Sequence, residues 1–305
     1  MEVFFKMSID TNRFEIRNKQ VRSVLWTILG LNLAVCIMKL IVGYSISSAS
    51  MIADGYHSFS DGSSNIIGLI GLTIASKPAD ECHPYGHRKF EAITTICISL
   101  MLFILSINIV RSGIAKVYNP QVPAVDIYSF IVMLITIGIN IFVVIYETKK
   151  GKELKSSILV SDAMHTKSDI YVSISVIFSL IAVKLGYPLL DPIISFLIAS
   201  VIIKAGAEIL INSINILCDA SVIAPEEIID LVSNIDGVIN CHRVRTRGSI
   251  NDFSMDLHIL VDPAMTVQQS HDLHHTIEQK IIEKYSGVNY IGIHIEPYQG
   301  KTVES

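Results

Sequence analysis

Asp54-Gly-Tyr-His57-Ser-Phe-Ser-Asp61 decides how the rest of the chain is read. It lies within an apolar run, 48–76, long enough to cross a bilayer. A charged side chain at mid-span costs about 2.5 to 3.5 kcal/mol even on the lenient insertion scale, so two carboxylates and an imidazole there need a reason. On a helix His57 and Asp61, at i and i+4, share one face about one turn apart, and Asp54 sits a further turn back near the same side. That spacing suits the grip of a cation.

The pattern returns as Asp162-Ala-Met-His165-Thr-Lys-Ser-Asp169, again inside an apolar run. Two copies of Asp-x-x-His-[Ser/Thr]-x-Ser-Asp supply two imidazoles and two carboxylates, a nitrogen and oxygen set for a tetrahedral divalent metal. Either copy alone reads equally well as hydrogen bonding between membrane helices; the duplication favours one shared site built from His57, Asp61, His165 and Asp169. On these residues the chain resembles the cation diffusion facilitators, a family of divalent-metal exporters that carry such pairs on their second and fifth membrane helices.

The composition agrees with a membrane protein. Hydrophobic residues make up 50% of the chain and charged ones 17%, with a mean hydropathy of +0.51, more apolar surface than a soluble fold can hide. Apolar runs at 21–44, 48–76, 92–117, 127–146, 158–185 and 189–211 each reach across about 30 Å of hydrocarbon. Six spans put both termini on one side. Arg13, Arg17, Lys19 and Arg22 flank the first span, Lys77, Arg88 and Lys89 follow the second, and Lys149, Lys150, Lys152 and Lys155 follow the fourth, so the positive-inside rule makes that side cytoplasmic. No apolar core followed by a cleavage site opens the chain, so no removable signal peptide is expected. The net charge of −4 says little by itself, but no basic arm for nucleic acid is visible and no nucleic-acid partner is expected. Cys36, Cys82, Cys97, Cys218 and Cys241 are too scattered for a disulfide framework.

Between the second and third spans, Asp80, His83 and His87 lie in a loop bent by Pro84 and Gly86. They read either as solvated loop residues or as a small metal site; the resemblance favours the site, because they match the family's Asp-x-x-His-x-x-x-His loop motif. Beyond about Leu217 the composition becomes that of a soluble domain. Pro225 opens an amphipathic helix, strands are expected over 238–247 and 252–262, a Thr266/Gln269 capping box starts a second helix, and a last strand covers 288–296. Histidines crowd this domain, and their own pattern leaves surface residues and metal ligands both open. The resemblance selects His242, His258, His271, His294 and Glu296 as ligands, with Glu296 standing where relatives often have Asp. His274, His275, Cys82 and Lys167 receive no role.

The expected fold is an all-α six-helix membrane domain followed by a small cytoplasmic α+β domain of order α-β-β-α-β, which resembles the family's metallochaperone-like domain. The boundaries are a cytoplasmic tail at 1–19, the spans at 20–216 and the C-terminal metal-binding and dimerisation domain at 217–305. The resemblance implies a multi-pass homodimer in the cell membrane, not an enzyme, that exports a divalent cation, zinc first, in exchange for protons. Zinc is the expected cargo and regulatory ion, and no organic cofactor is expected. Two other readings stay open: a manganese or ferrous exporter of the same family, and a membrane metal sensor that moves little cargo.

Overall fold

The structure, a computed structural model, describes residues 2–45, 49–118, 127–184, 190–250 and 252–299, and within its helices the side chains at 2–15, 49–57 and 59–61, with a few others nearer the helix ends, are not described. The chain divides into two compact units, 1–213 and 214–305.

The first unit is a bundle of long helices: α1 (Glu2–Ser45), α2 (Ala49–Ala75), α3 (Lys89–Tyr118), α4 (Ile127–Glu153), α5 (Ser157–Lys184) and α6 (Leu190–Leu217). Stretches Ile16–Val42, Lys89–Ala115, Phe130–Glu153 and Pro192–Leu217 are long and apolar enough to cross a membrane. The two motif-bearing helices are more polar. In α2 the apolar stretch among the described residues is the shorter Gly62–Ala75, and α5 carries Asp162, Lys167 and Asp169. Large apolar side chains such as Trp26, Ile41, Phe142 and Leu197 point outward, as a hydrocarbon solvent permits. The core packs Val21, Leu25 and Ile28 of α1 against Leu72 of α2, Ile98 of α3, Val143 of α4 and Ile158 of α5.

A charged staple fixes where α5 begins. Arg17 of α1 donates to Glu91 of α3 through Nη2, at 3.0 and 3.2 Å, and to the carbonyls of Leu154 and Lys155, at 2.8 and 2.9 Å, in the turn that joins α4 to α5. Glu91 in turn accepts the backbone N–H of Ser157 at 3.1 Å, an otherwise orphaned donor of the first turn of α5. The bifurcated guanidinium is suited to this, because its donors fan out in a fixed plane. The turn itself holds Lys155 at a φ of 52°, a left-handed conformation uncommon for a residue with a side chain.

The second unit contains α7 (Pro225–Ser233), β1 (Asn240–Ser249), β2 (Asp252–Val261), α8 (Val267–Lys284) and β3 (Val288–Pro297). The sheet runs β1-β2-β3, antiparallel between the first pair and parallel between the second, so α8 is the crossover. Alternation along β2 buries Phe253, Met255, Leu257, Ile259 and Val261 against Ile277 and Ile281 of α8 and Ile228 and Val232 of α7. Thr266 and Gln269 form a reciprocal capping box at the start of α8.

Helices α2 and α3 meet closely at Gly71, where an added Cβ would lie 2.6 Å from the Cβ of Thr94 and closer still to its Oγ1. No rotation of Thr94 relieves a clash with its own Cβ. Gly71→Ala is therefore expected to cost about 1 to 3 kcal/mol through overpacking, seen as a lower thermal midpoint in detergent. Gly30→Ala, whose added Cβ meets nothing within 4 Å, is the control and should leave the midpoint unchanged.

Candidate metal centres

Of the intramembrane quartet, His165 and Asp169 of α5 are described; His57 and Asp61, with Asp54, lie on α2 with side chains outside the described residues. His165 and Asp169 line a cavity of about 20 Å³, together with Asn32 and Val35 of α1, Ser58 of α2, and Thr136 and Asn140 of α4. That is room for about one water-sized occupant. Thr166 completes the wall. His165 is only 5% exposed, and neither ring nitrogen has a hydrogen-bond partner among the described residues. Burying an imidazole without a partner costs free energy.

Around the cavity runs a polar chain that apolar patterning hides. The amide of Asn32 donates to Asn65 at 2.8 Å, and the amide of Asn65 donates to Asp162. Glu147 of α4, fully buried, lies near Asp162, and neither of its carboxylate oxygens has a hydrogen-bond partner among the described residues. Asp162 thus bonds a neighbouring helix one turn from His165. Lys39 of α1, 5% exposed, donates to Ser58 Oγ at 2.7 Å. Asn32, Asn65, Lys39 and Glu147 were not singled out from the sequence. Their signal is available there, as single polar residues inside apolar helices.

The loop between α2 and α3 brings Asp80, His83 and His87 together, with one ligand atom from each lying within 4.8 Å of the others. Asp80 Oδ1 accepts the His83 N–H at 2.7 Å and lies 3.2 Å from His83 Nδ1, while its Oδ2 lies 3.4 Å from His87 Nε2. The buried His87 ring meets the Pro78 carbonyl through Nδ1 at 3.1 Å, which leaves Nε2 facing Asp80. Such a carbonyl sets the tautomer of a metal-binding imidazole. The His83 N–H, and then the His83 side chain, hold the Asp80 carboxyl below its ordinary value. Cys82 is exposed.

In the second unit, strand register assembles the other cluster. His242 pairs with His258 across β1 and β2, and His258 pairs with His294 across β2 and β3, so three imidazoles form one row across the sheet. They lie on the face opposite the core residues Leu257 and Ile259, because alternate side chains point to opposite faces. Glu296, two residues beyond His294 on the same face, reaches His258 Nδ1 at 2.8 Å and His242 Nε2 at 3.4 Å. His242, His258 and Glu296 each offer a ligand atom within 4.8 Å of the others. His294 stands at the rim, 3.5 Å from Glu296. An irregularity in β1 after His242, with Arg243 at a φ of 50°, marks the row's end. The hydrogen bond from His258, followed by the nearby imidazoles, holds the Glu296 carboxyl below its ordinary value.

His271 is not brought to this cluster. It lies exposed on α8 with its ring 4.5 Å from that of His275, and His274 and His275 both contact Glu278. Two imidazoles and a carboxylate suit zinc or a neighbouring transition metal. His242 Nδ1, buried and without a partner among the described residues, adds a free lone pair or N–H to that account.

Two family models divide the chain: the cation efflux transmembrane domain matches residues 25–218, and the cation efflux protein cytoplasmic domain matches residues 223–298. Fold and site together define a multi-pass metal cation transporter. The chain belongs to the cation diffusion facilitator family. The transporter MJ0449 of Methanocaldococcus jannaschii is 30% identical over 269 residues, covering 87% of this chain and 94% of its own. The manganese efflux system protein MneP of Bacillus subtilis is 30% identical over 277 residues, covering 88% and 93%. A solved variant of the MamM CTD is 25% identical, covers 24% of this chain and 91% of its own, and superposes with a TM-score of 0.23.

Two outcomes test the cytoplasmic cluster. Zinc should raise hydrogen-exchange protection of β2 and α8 in the purified chain by mass action; His242→Ala and Glu296→Ala should each remove most of that gain, whereas His271→Ala should keep it. Protection indifferent to zinc would return these residues to ordinary surface histidines. Without metal, the depressed Glu296 carboxyl contributes stability that is complete above the unfolded value of about 4.3 and disappears as pH falls through the lower folded value. Melting of Glu296→Gln should therefore lie below wild type at neutral pH and converge on it in acid.

Proposed function

We propose that this transporter exports a divalent cation, zinc foremost, from the cytoplasm in exchange for protons, with His57, Asp61, His165 and Asp169 as the ligands of the cargo. The observation that carries the reading is His165, a buried imidazole with both nitrogens unpartnered among the described residues, in an ion-sized cavity with Asp169. The chemistry follows from the residue types. A metal takes the lone pair of neutral imidazole and the charge of ionised carboxylate, and an imidazole with a reference pKa of about 6.5 can hold a proton once the metal has left. One site can alternate between cargo and counter-ion. A midplane cavity between helices of two halves is also the usual setting for alternating access.

The protein works as a homodimer in the cell membrane with both termini cytoplasmic, a reading supported by the cytoplasmic-domain match and by the grouping of Lys and Arg. Asp80, His83 and His87 form a loop site, and His242, His258, His294 and Glu296 a regulatory zinc site, with His271 a ligand only where another chain or a rearranged α8 presents it. A second reading, manganese as cargo, is favoured by the name of the MneP relative and by the neutral oxygen-bearing side chains of Asn32, Ser58, Thr136, Asn140 and Thr166 in the cavity wall.

Sealed vesicles carrying the purified chain, with a pH gradient and a panel of zinc, manganese, ferrous and cadmium ions, decide between the two readings by ion and proton flux. Asp169→Ala, and likewise Asp61→Ala, should abolish flux of the favoured metal while the protein still inserts and dimerises; normal flux in either would end the shared-site reading. His57→Asp exchanges a nitrogen for a carboxylate, a harder and more negative ligand. It should keep zinc transport and widen the range toward cadmium or manganese, and an unchanged ratio of initial rates would show that His57 does not set selectivity.

A further inference from the structure

Lys39 is a buried charged residue three positions before the end of the apolar span of α1, and the ion-binding motifs do not account for it. It lies in the span Ile16–Val42, is 5% exposed and holds Ser58 Oγ at 2.7 Å. Ser58 is part of the cavity wall with His165 and Asp169, and Asn32 and Val35, seven and four residues before Lys39, line that wall from the same face of α1. An ammonium beside a cation site is an unexpected choice, since it repels the cargo. A buried charge in a membrane bundle is tolerated where it is compensated, and Asp169 in the adjoining cavity supplies the opposite sign.

From this geometry we infer that Lys39 is the resident counter-cation of the cargo cavity, a positioned charge that lets the metal-free site exist inside the membrane and return across it. The inference rests on the transport reading above. Counting Asp61 and Asp169 as ionised and before any proton is taken up, the site without a lysine is neutral when a dication is bound and doubly negative when it has left. The ammonium divides that imbalance evenly, a single net positive charge when loaded and a single net negative charge when empty, so a proton exchanged for the metal has one negative charge to offset rather than two. Because burying charge in a low dielectric is costly, and more so for a double charge than a single one, Lys39 lowers the barrier to the empty leg at some expense in metal affinity. It biases the cycle in the same way as any ligand that favours one of two states. Its hydrogen bond to Ser58 keeps the ammonium on the cavity wall.

Net transport and exchange separate this role from a structural one. Net uptake of zinc into metal-free proteoliposomes requires the empty site to return, whereas exchange of labelled zinc against unlabelled zinc inside needs only the loaded site to cross. Lys39→Met should lose net uptake, retain exchange and bind zinc more tightly, and Lys39→Arg should preserve both fluxes. Retained exchange also shows that the variant is folded. Net uptake by Lys39→Met at the wild-type rate overturns the inference, and so does equal loss of both fluxes. A wild-type chain that shows neither uptake nor exchange of any metal on the panel overturns the transport reading itself, and the inference with it.

Discussion

Inside a hydrocarbon slab a polar side chain has no water to fall back on, and that constraint orders the first unit. Most of the hydroxyls on its helices meet it locally. Thr73, Thr95, Ser106, Thr136, Ser168 and Ser213 each return a hydrogen bond to the carbonyl four residues earlier, which costs the helix little. Amides and charges cannot be satisfied so cheaply, and they reach between helices: Asn32 to Asn65, Asn65 to Asp162, Lys39 to Ser58, Arg17 to Glu91. Not every group is met: both nitrogens of His165, one oxygen of Asp162, both oxygens of Glu147 and the amide nitrogen of Asn18 are buried without a hydrogen-bond partner among the described residues.

The three groups of candidate ligands are gathered by three different devices. In α5 the helical repeat brings His165 and Asp169 to one wall, and the Arg17 and Glu91 staple fixes the start of that helix eight residues earlier. In the loop, the Asp80 carboxylate folds the chain on itself by taking the His83 N–H, so the same atoms that shape the turn present the ligands. In the sheet no local device would suffice. His242, His258 and His294 lie far apart in sequence, and only register makes them neighbours.

This difference explains what could be read from residues alone. The intramembrane pairs and the loop triad are local in sequence, so spacing reports them directly. The row of histidines is not local: alternation tells which face His258 and His294 occupy, but the pairing partner of each depends on the parallel crossover through α8, which no pattern in β3 encodes. Helix ends were also harder to read than helix existence. α1 starts at Glu2, within what reads as a polar tail, and α4 runs on through Lys149, Lys150 and Lys152 to Glu153. Lys and Glu are good helix formers, and Lys150 pairs with Glu153 at 2.8 Å, so charge there marks the membrane boundary without ending the helix. β1 begins at Asn240, since Val238 closes a turn onto the Ile235 carbonyl across Gly237, which has a φ of 96°. The neutral polar residues of the cavity wall were missed for a physical reason: one Asn or Thr in an apolar helix is indistinguishable by pattern from a hydroxyl or amide that serves only to join helices.

Those neutral residues bear on the choice of metal. Ligand identity alone ranks first-row divalent ions in one order for almost any site, with copper and zinc ahead of iron and manganese, so a transporter that selects must use coordination number and geometry. A set of two imidazoles and two carboxylates completes a tetrahedron and satisfies zinc. Manganese, which prefers six oxygen-rich ligands, would find the same set incomplete and would need further oxygens at coordinating distance. The cavity offers room for about one water-sized body, too little for an ion with its own hydration shell, so those oxygens would have to come from the wall, where Asn140 and Thr136 of α4 face the α5 pair. For a metal held there, the position of α4 relative to α5 would govern the coordination number it could reach, and the turn at Leu154–Ser156 that joins the two helices is the segment held by Arg17.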